Sequence, residues 1–424
     1  MDKQKYNSQV CVGIDISKKT HCARAMSYYG EEIGRKISFT QDKEGFSFLI
    51  DEWLPSLGSK EDILIGLEAT GNYHIHLVSY LKDAGYKVEV INPIVTAAAA
   101  KGIVRGRKSD PDDALSIART VRDHNYSASY IQTEVEEKLR LLTRIRGRLV
   151  KAKTKIILEI HNQLDILFPE VHKFSTKIYS LTMLEVYKKY PSALKISKAR
   201  TEALAKLMSK ASRGRYKRED AIRLKELAKD SLAIKLKHDF FEDALLDYIE
   251  QLEDLRMRVS KEDQKIEDLL KEINSPIKDF LIKGKVTQGI IISELGNINR
   301  FISPNGEKKL VAFAGLDPRV QSSGNWTGQD RMSKRGNSNL RYALMLAADT
   351  LRKQDEYFQK IYDKQKAKGK KYRVALSHVA RKYIHAIYFK IKLGKTFDIE
   401  KFKNRGKTAE EKKVSIIEKT TQTA

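Results

Sequence analysis

The chain has 424 residues, and its 80 lysines and arginines against 55 aspartates and glutamates give a formal net charge of +25. A hydrophobic content of 41% is typical of a folded globular protein and excludes a disordered chain. No apolar run reaches the roughly 20 residues needed to cross a bilayer, and two cysteines are too few for a disulfide scaffold. We therefore expect a soluble cytoplasmic protein of two or three domains, with no membrane partner.

A positive charge of this size favours a polyanionic partner, because lysines and arginines that neutralise phosphates release the counterions condensed on them. The basic residues are spread along the whole sequence and are not gathered on one amphipathic helix, which argues against an anionic membrane surface. DNA or RNA is therefore the expected partner.

The first 91 residues follow the pattern of a mixed α/β sheet. Short apolar runs at 10–16 and 63–68 predict buried strands, and each carries an acid at its C-terminal end. Three more strands are predicted at 21–26, 33–39 and 87–91, and two helices at 42–53 and 73–83. The order of strand, hairpin, helix, strand, helix and strand is compatible with an RNase H-like sheet.

A long helix is predicted from 134 to 168, and its middle is basic. No acid lies between Arg140 and Lys155, whereas a surface helix held by salt bridges normally interleaves both signs, so contact with phosphate is favoured over a merely solvated face. The residues predicted to bind nucleic acid there are Arg144, Arg146, Arg148 and Lys151. The next stretch, 169–238, is lysine-rich and helix-prone, and it is predicted to be a helical insertion or a linker.

An apolar heptad follows at 239–275. One heptad position holds Leu245, Leu252, Val259, Ile266 and Ile273, and the other holds Tyr248, Leu255 and Leu269, with Glu262 as its exception. Such a seam pairs either within a helical hairpin or between two chains. Self-association is therefore one of two open alternatives.

Four acids form a candidate metal site. Asp15 and Glu68 close the two apolar runs inside one sheet, and Asp110 and Asp113 lie three residues apart, on one face of a helix. Together they would form the oxygen-rich cluster that holds Mg²⁺ in enzymes acting on phosphodiesters. A simpler interpretation is also open, because acids at strand ends cap turns and Asp110 is well placed as a helix N-cap. Asp112 is near enough to replace either neighbour.

Ser323 is the candidate nucleophile in the last third of the chain. It lies in a polar, glycine-bearing loop, where a Ser-Gly pair is most often ordinary turn chemistry. A surrounding ring of cations would bind a phosphate and stabilise the charge of its transition state. These cations are Arg319, Arg331, Lys334, Arg335 and Arg341. Ser333 and Ser322 are the competing serines, and no Gly-x-Ser-x-Gly motif supports a hydrolase triad.

Six motifs in the same order resemble the DEDD transposases of insertion sequences, a family also described as bridge-RNA-guided recombinases and related to the Piv invertase. They are Gly-Ile-Asp15, Glu68-Ala-Thr-Gly-x-Tyr73, Ile-Asn92-Pro93, Lys-Ser-Asp110-x-x-Asp113-Ala, Phe-Ala-Gly-Leu-Asp-Pro with Ser323-Gly after it, and Arg-Met-Ser-Lys-x-Gly. The resemblance covers residues 8–168 and 240–400.

By this resemblance, Asp15, Glu68, Asp110 and Asp113 are the Mg²⁺-binding carboxylates of an N-terminal RuvC-like domain. Ser323 would attack a DNA phosphodiester and form a covalent phosphoserine intermediate. The resemblance further implies donor and target DNA, a structured noncoding guide RNA, and a homo-oligomer in which a coiled coil joins domains of different protomers into one active site.

The predicted architecture is α/β plus α. It consists of a RuvC-like domain at 1–168, the insertion at 169–238, a coiled coil at 239–275, a mostly helical transposase domain at 276–400 and a basic tail at 401–424. The predicted function is RNA-guided, Mg²⁺-dependent cutting and exchange of DNA strands by a transposase. Two alternatives stay open, namely a RuvC-like resolvase or nuclease whose metal activates water, and a catalytically silent nucleic-acid-binding protein.

Overall fold

A computed structural model of the chain describes residues 9–68, 73–91, 110–124, 133–235, 239–319, 322–323, 326–327 and 331–404. For Asp110, Arg319, Ser323 and Arg331 it describes the backbone and not the side chain. The chain divides into two compact units, Met1–Ile131 and Gln132–Ala424. Within the described ranges, no helix is both long and apolar enough to span a membrane. Most of the predicted basic tail, 405–424, lies outside the described residues.

The first unit is built on a five-stranded mixed sheet. Its strands are β1 Val10–Asp15, β2 Thr20–Ser27, β3 Glu32–Thr40, β4 Ile63–Glu68 and β5 Lys87–Ile91. They lie in the order β3-β2-β1-β4-β5, with β2 antiparallel to both of its neighbours and β1, β4 and β5 parallel to one another. All five predicted strands are confirmed.

Three α-helices accompany this sheet in the described part of the unit. They are α1 Lys43–Ser47, α2 His74–Asp83 and α3 Asp110–Arg122. Asp42 caps α1, because its carboxylate accepts a hydrogen bond of 2.8 Å from the backbone N–H of Gly45. The chain continues from α1 as a π-helical segment over Phe48–Trp53. The helix predicted at 42–53 is therefore confirmed, and its second half is π-helical and not α-helical. The helix predicted at 73–83 is confirmed as α2.

Helix α3 lies directly on the backbone of β1 and β4. A Cβ atom on Gly13 would sit 2.0 Å from the carbonyl oxygen of Ala114, and one on Gly66 would sit 2.1 Å from a methyl carbon of Val121. The apolar side chains around this contact are Cys11, Met26, Leu64, Ile91, Leu115, Ile117, Ala118 and Val121. Glycine at both strand positions therefore sets how closely α3 approaches the sheet. A separate and larger apolar core joins the sheet to α1 and α2.

Gly13→Ala should destabilise the first unit by about 1–3 kcal/mol, the usual cost of overpacking, because the atoms in the way belong to the backbone of α3. The free energy of unfolding, from urea titrations of the full chain, measures the effect. Gly147→Ala is the control, since position 147 is helical and an added Cβ there meets no atom within 4 Å. Alanine at 147 should stabilise its helix by about 0.5–1 kcal/mol. A Gly13→Ala variant as stable as the wild type would contradict the close contact between α3 and β1.

The second unit is helical apart from two short β-pairs in its described part. Its helices are α4 Glu134–Leu167, α5 Val171–Phe174, α6 Leu181–Lys189, α7 Ala193–Lys198, α8 Thr201–Ser212, α9 Arg218–Lys229, α10 Asp239–Glu272, α11 Lys285–Leu295, α12 Gly306–Phe313, α13 Ser338–Gln354, α14 Glu356–Ala367, α15 Tyr372–Leu393 and α16 Ile399–Asn404. The short strands are β6 Pro318–Arg319, β7 Ser322–Ser323, β8 Trp326–Thr327 and β9 Arg331–Met332.

Two 34-residue helices, α4 and α10, pack antiparallel against each other. The start of α4 meets the end of α10 in one apolar cluster, which contains Leu139 and Ile266, and the other ends meet in a second cluster, which contains Leu164 and Leu245. The predicted heptad residues Leu245, Leu252, Val259 and Ile266 are buried within the chain. The seam therefore forms a helical hairpin, the first of the two alternatives. Pairing between chains stays a prediction.

The described part of the predicted insertion, 169–235, folds into helices that share an apolar core. Helices α5 to α9 enclose buried residues such as Tyr187, Met208 and Leu224, and the adjoining ends of α4 and α10 complete this core. The compact units divide at 131, whereas the predicted first domain extends to 168. The difference arises because α4 packs on α10 and α11 in the second unit.

The last helices form the largest core of the second unit. Helices α11, α13 and α15 supply most of its buried side chains, and the hydroxyl of Tyr383 donates to the carbonyl of Phe280 at 3.1 Å. Helix α13 begins at Ser338. Asn337 caps it, because its side-chain oxygen accepts hydrogen bonds of 3.0 Å from the backbone N–H groups of Asn339 and Leu340.

Candidate functional site

Asp15 and Glu68 end two neighbouring parallel strands. Ile14 of β1 is the register partner of Leu67 of β4, so the next positions, Asp15 and Glu68, lie side by side at a strand separation of about 4.8 Å. Side chains alternate along a strand, and Asp15 is two residues beyond Gly13 just as Glu68 is two beyond Gly66. Both acids therefore share the face of the sheet on which α3 packs, and both are half-buried.

The first turn of α3 lies at the same edge of the sheet. The helix runs antiparallel to β1, because Ala114 sits against Gly13 whereas the last residue, Arg122, lies beside Gly30 in the turn between β2 and β3. The backbone of Asp110 and the half-buried Asp113 thus lie toward the edge where β1 and β4 end. The side chain of Asp110 is outside the described residues. Among the side chains that are described, no three His, Cys, Asp or Glu form a metal-binding group.

Asp112, which the sequence left as a possible substitute, faces a cation. Its carboxylate lies 3.9 Å from the guanidinium of Arg24 on β2, and the Asp112 side chain is half exposed. The pairing gives Asp112 a partner on the sheet. Asp113 is half-buried.

A buried histidine ties the strand ends together, and the sequence analysis missed it. His21 is 1% exposed and its Nδ1 accepts a hydrogen bond from the backbone N–H of Ser17 just beyond β1. Its Nε2 pairs with the side-chain oxygen of Gln41, whose amide donates to the carbonyl of Tyr73 at 3.0 Å. Burial lowers the pKa of His21 despite its bond to Gln41, so the ring is neutral near pH 7. These bonds link the segment after β1 to the segment after β4.

Ser323 lies in one of two short antiparallel strand pairs. Strands β6 and β9 pair through Pro318 with Met332, and β7 and β8 pair through Ser323 with Trp326. We call residues 318–332 the serine ribbon. The two positions between Ser323 and Trp326 lie outside the described residues, as do the side chains of Ser323, Arg319 and Arg331. The sequence predicted a loop here, and the short strands were not foreseen because each is two residues long.

Hydrogen bonds hold the base of the serine ribbon. The hydroxyl of Ser333 donates to the carboxylate of Asp317 at 2.5 Å, and its backbone N–H donates to the Asp317 carbonyl at 2.9 Å. The guanidinium of Arg341 donates to the carbonyl of Ala314 at 3.1 Å. Ser333 and Arg341 thus have structural partners at the base of the ribbon, whereas Lys334 and Arg335 are exposed.

A buried carboxylate connects this base to the long basic helix. The Glu294 side chain on α11 is 1% exposed, and it receives two hydrogen bonds from the Arg144 guanidinium, at 2.9 and 3.0 Å. The side-chain amides of Asn337 and Asn339 also donate to it, at 2.7 and 3.2 Å. Burial would raise the pKa of Glu294, but these bonds and the charges of Arg144 and Arg140 outweigh it and hold the pKa below its ordinary value. Sequence analysis missed Glu294, although an acid inside an apolar helix is a signal.

Acids from other helices face the basic part of α4. Besides the pairing of Arg144 with Glu294, Arg146 donates to the Asp263 carboxylate on α10 at 2.7 Å. The lack of acids between Arg140 and Lys155 did not reveal these pairs, because the acidic partners lie more than 100 residues away in sequence. Arg148 and Lys151 are exposed. Contact of all four cations with nucleic acid stays a prediction.

Two family models match the chain, and both describe transposases. A model for the DEDD transposases of the IS110 type matches residues 12–169, which include the strand-end acids and α3. A second model, for transposases of the IS116/IS110/IS902 family, matches residues 283–363, which include Glu294 and the serine ribbon. The chain belongs to this transposase family, which confirms the resemblance drawn from its motifs.

Individual relatives agree with the family. The transposase for insertion sequence element IS1111A of Coxiella burnetii is 24% identical over 80% of this chain and 77% of its own length. An uncharacterized 44.8 kDa protein of insertion element IS116 from Streptomyces clavuligerus is 22% identical over 90% of this chain and 94% of its own. The pilin gene-inverting protein of Moraxella bovis is 28% identical over 35% of this chain, and the match spans 46% of that protein.

Proposed function

We propose that this chain is the Mg²⁺-dependent recombinase of an insertion element, and that it cuts and rejoins DNA through a covalent bond to Ser323 under the guidance of a structured RNA. The observation that carries the proposal is the placement of Asp15 and Glu68 side by side at the ends of β1 and β4, with the first turn of α3 at the same edge. The match to transposase family models supports it.

The strand order supports a RuvC-like assignment for the first unit. An antiparallel hairpin pairs through β1 with parallel β4 and β5, in the order β3-β2-β1-β4-β5 that an RNase H-like sheet has. In such a sheet the carboxyl ends of the central parallel strands share one edge, which is where ligands bind in α/β folds. Asp15 and Glu68 stand at that edge.

The residues at this edge suit a hard divalent cation. Asp15, Glu68, Asp110 and Asp113 would hold Mg²⁺, because carboxylate oxygens are its preferred protein ligands. Bound there, Mg²⁺ would supply Lewis-acid polarisation of a phosphoryl oxygen. The chain itself contributes rigidity, because Gly13 and Gly66 seat α3 on the sheet and neutral His21 fixes the segment after β1.

In the reaction we propose, the Oγ of Ser323 attacks a phosphorus atom of the DNA backbone. A P–Oγ bond replaces one P–O bond of the strand, and the departing DNA oxygen takes up a proton. One phosphodiester is exchanged for another, so the energy for rejoining is retained in the phosphoserine. The exposed Lys334 and Arg335 beside the serine ribbon would stabilise the charge on the phosphoryl oxygens.

Donor and target DNA and a structured guide RNA are the proposed partners. The net charge of +25 supports a large phosphate-binding surface, while base pairing between RNA and DNA would supply the choice of sequence. A homo-oligomer would bring the carboxylates of one protomer to the serine of another. Because the α4–α10 seam is already buried within the chain, association would use its outer faces, where Leu141, Leu158 and Met257 are each more than half exposed.

Asp15→Asn and Glu68→Gln should each lower the rate of Mg²⁺-dependent strand cleavage by at least about 10²-fold, because each removes a charged ligand from the edge of the sheet. Nucleic-acid binding without Mg²⁺ should stay within about twofold of the wild type. The measurement is the initial rate on denaturing gels, with matching RNA and labelled donor and target DNA, across a Mg²⁺ titration.

Glu61→Gln is the matched control, since Glu61 is exposed and lies just before the other end of β4. Its rate should equal that of the wild type. Wild-type cleavage by both strand-end variants at every Mg²⁺ concentration would exclude these carboxylates from the metal site. Nicked DNA with no attached protein would indicate hydrolysis by a resolvase instead.

A further inference from the structure

A second candidate site lies in the second unit, where a cavity of about 510 Å³ opens between the start of α12 and the end of α15. Its volume is within the roughly 300–1,000 Å³ of small-ligand sites. The residues that define its chemistry are Pro304, Asn305, Glu307, Tyr388, Phe389 and Lys392. None of them takes part in the carboxylate edge or the serine ribbon.

The cavity has a tightly built wall. A Cβ on Gly306 would sit 1.6 Å from the carbonyl oxygen of Phe301, so only glycine allows the turn before α12 to fold back on itself. The hydroxyl of Tyr388 on α15 would lie 3.0 Å from the same Cβ. Asn305 has a φ of 59°, a left-handed conformation that asparagine tolerates better than most residues.

The walls combine aromatic and polar groups. Tyr388 is 3% exposed, and Phe389 meets it edge-on, with ring centroids 5.4 Å apart. Asn305 and Glu307 offer an amide and a carboxylate, and the Lys392 ammonium lies 5.9 Å from the centre of the Tyr388 ring. The carboxylate disfavours a bare phosphate as the ligand of the inner cavity. A flat, neutral group with hydrogen-bonding edges suits it better.

We propose that this cavity receives one unstacked base of a DNA or RNA strand. The half-buried ring of Phe389, supported by the buried ring of Tyr388, and the apolar Ile302, which is 43% exposed, would contact the base. Asn305 and Glu307 would bond its edge, since amides and carboxylates both pair with the amino groups of bases. Lys392 would meet the adjoining backbone phosphate. The inference rests on the proposed function in one respect, namely that the chain binds nucleic acid.

The test is photocrosslinking of the full chain to single strands of DNA and of RNA that carry 5-iodouracil, followed by mass spectrometry of the linked peptides. We expect a crosslink within the peptide that contains Tyr388 and Phe389. Asn305→Gly keeps the backbone conformation but removes the amide, and it should lower the yield at this peptide about tenfold, as should Lys392→Ala. The DNA and RNA arms show which strand supplies the base.

Lys364→Ala is the control, because Lys364 is an exposed lysine of α14 outside the cavity and its loss changes the net charge equally. Its crosslink yield should equal that of the wild type. Crosslinks confined to other peptides, or yields that Asn305→Gly leaves unchanged, would overturn this inference and leave the proposed function standing. A chain that binds neither DNA nor RNA would overturn both.

Discussion

Ser323→Ala should reduce strand cleavage by about 10⁴-fold or more while leaving DNA and RNA binding within about twofold of the wild type. The hydroxyl is the only group that the substitution removes, and in the proposed reaction its oxygen forms the new bond to phosphorus. The measurement is a denaturing gel of labelled DNA after reaction with Mg²⁺ and RNA, on which protein-linked DNA and free nicked DNA are quantified separately.

Two other serines provide controls for this experiment. Ser322 precedes Ser323 on β7, and because the proposed reaction uses only the Ser323 hydroxyl, Ser322→Ala should keep cleavage within a few-fold of the wild type. Ser333→Ala removes the bond to Asp317 at the base of the serine ribbon and should slow the reaction without abolishing the protein-linked band. If Ser323→Ala kept the protein-linked band and Ser333→Ala lost it, the nucleophile would be Ser333 and not Ser323.

Glu294→Ala should lower the free energy of unfolding by about 1–3 kcal/mol, because buried donors lose their acceptor while the Arg144 side chain left behind is 38% exposed and can be hydrated. The substitution leaves the Arg144 guanidinium without its two hydrogen bonds and the amides of Asn337 and Asn339 without their acceptor. Because Asn337 also caps α13, the base of the serine ribbon should loosen as well. Urea titrations of the full chain measure the loss of stability.

Asp263→Ala is the matched control, since it breaks the pair with Arg146 but the Asp263 side chain is 37% exposed. A pair with this exposure is worth roughly 0–1 kcal/mol, so the control should be nearly as stable as the wild type. Equal losses from Glu294→Ala and Asp263→Ala would contradict the role assigned to the buried pair.

The Glu294 pair should also make stability depend on pH. Its pKa is lowered in the folded chain, so its contribution is fully present above the unfolded carboxyl pKa of about 4.3 and is lost as the pH falls through the lower folded value. The wild type should therefore exceed Glu294→Gln in stability at pH 7, and the difference should shrink below about pH 4. A difference that is constant from pH 7 to pH 3 would contradict the ionised pair.

Local pattern was sufficient to predict the sheet. Alternating and continuous apolar runs mark strands because burial of one or both faces imposes them, and the acids that close two of the runs predict the pairing of Asp15 with Glu68. The pairing then requires only that β1 and β4 be parallel neighbours, which the structure shows. The packing of α3 on the sheet could not be predicted. It depends on the absence of side chains at Gly13 and Gly66, and a glycine in a strand does not reveal which element will approach it.

Long-range pairing could not be predicted in the same way. Glu294 and Arg144 are 150 positions apart, and Asp263 and Arg146 are 117 apart, so a count of charges along α4 missed both acids. The heptad of α10 indicated a partner helix but not which one, because apolar periodicity is the same for pairing within a chain and between chains. His21 and Gln41 likewise act through contacts that sequence spacing does not reveal.

The most direct test of the account is the identity of the residue bonded to DNA. The wild-type chain would react with Mg²⁺, RNA and donor and target DNA, be denatured and digested with a protease and a nuclease, and the nucleotide-bearing peptide would be sequenced by mass spectrometry. We expect one nucleotide attached through a phosphodiester to Ser323. Attachment to any other residue, or cleaved DNA without a nucleotide-bearing peptide, would contradict serine recombination by this chain.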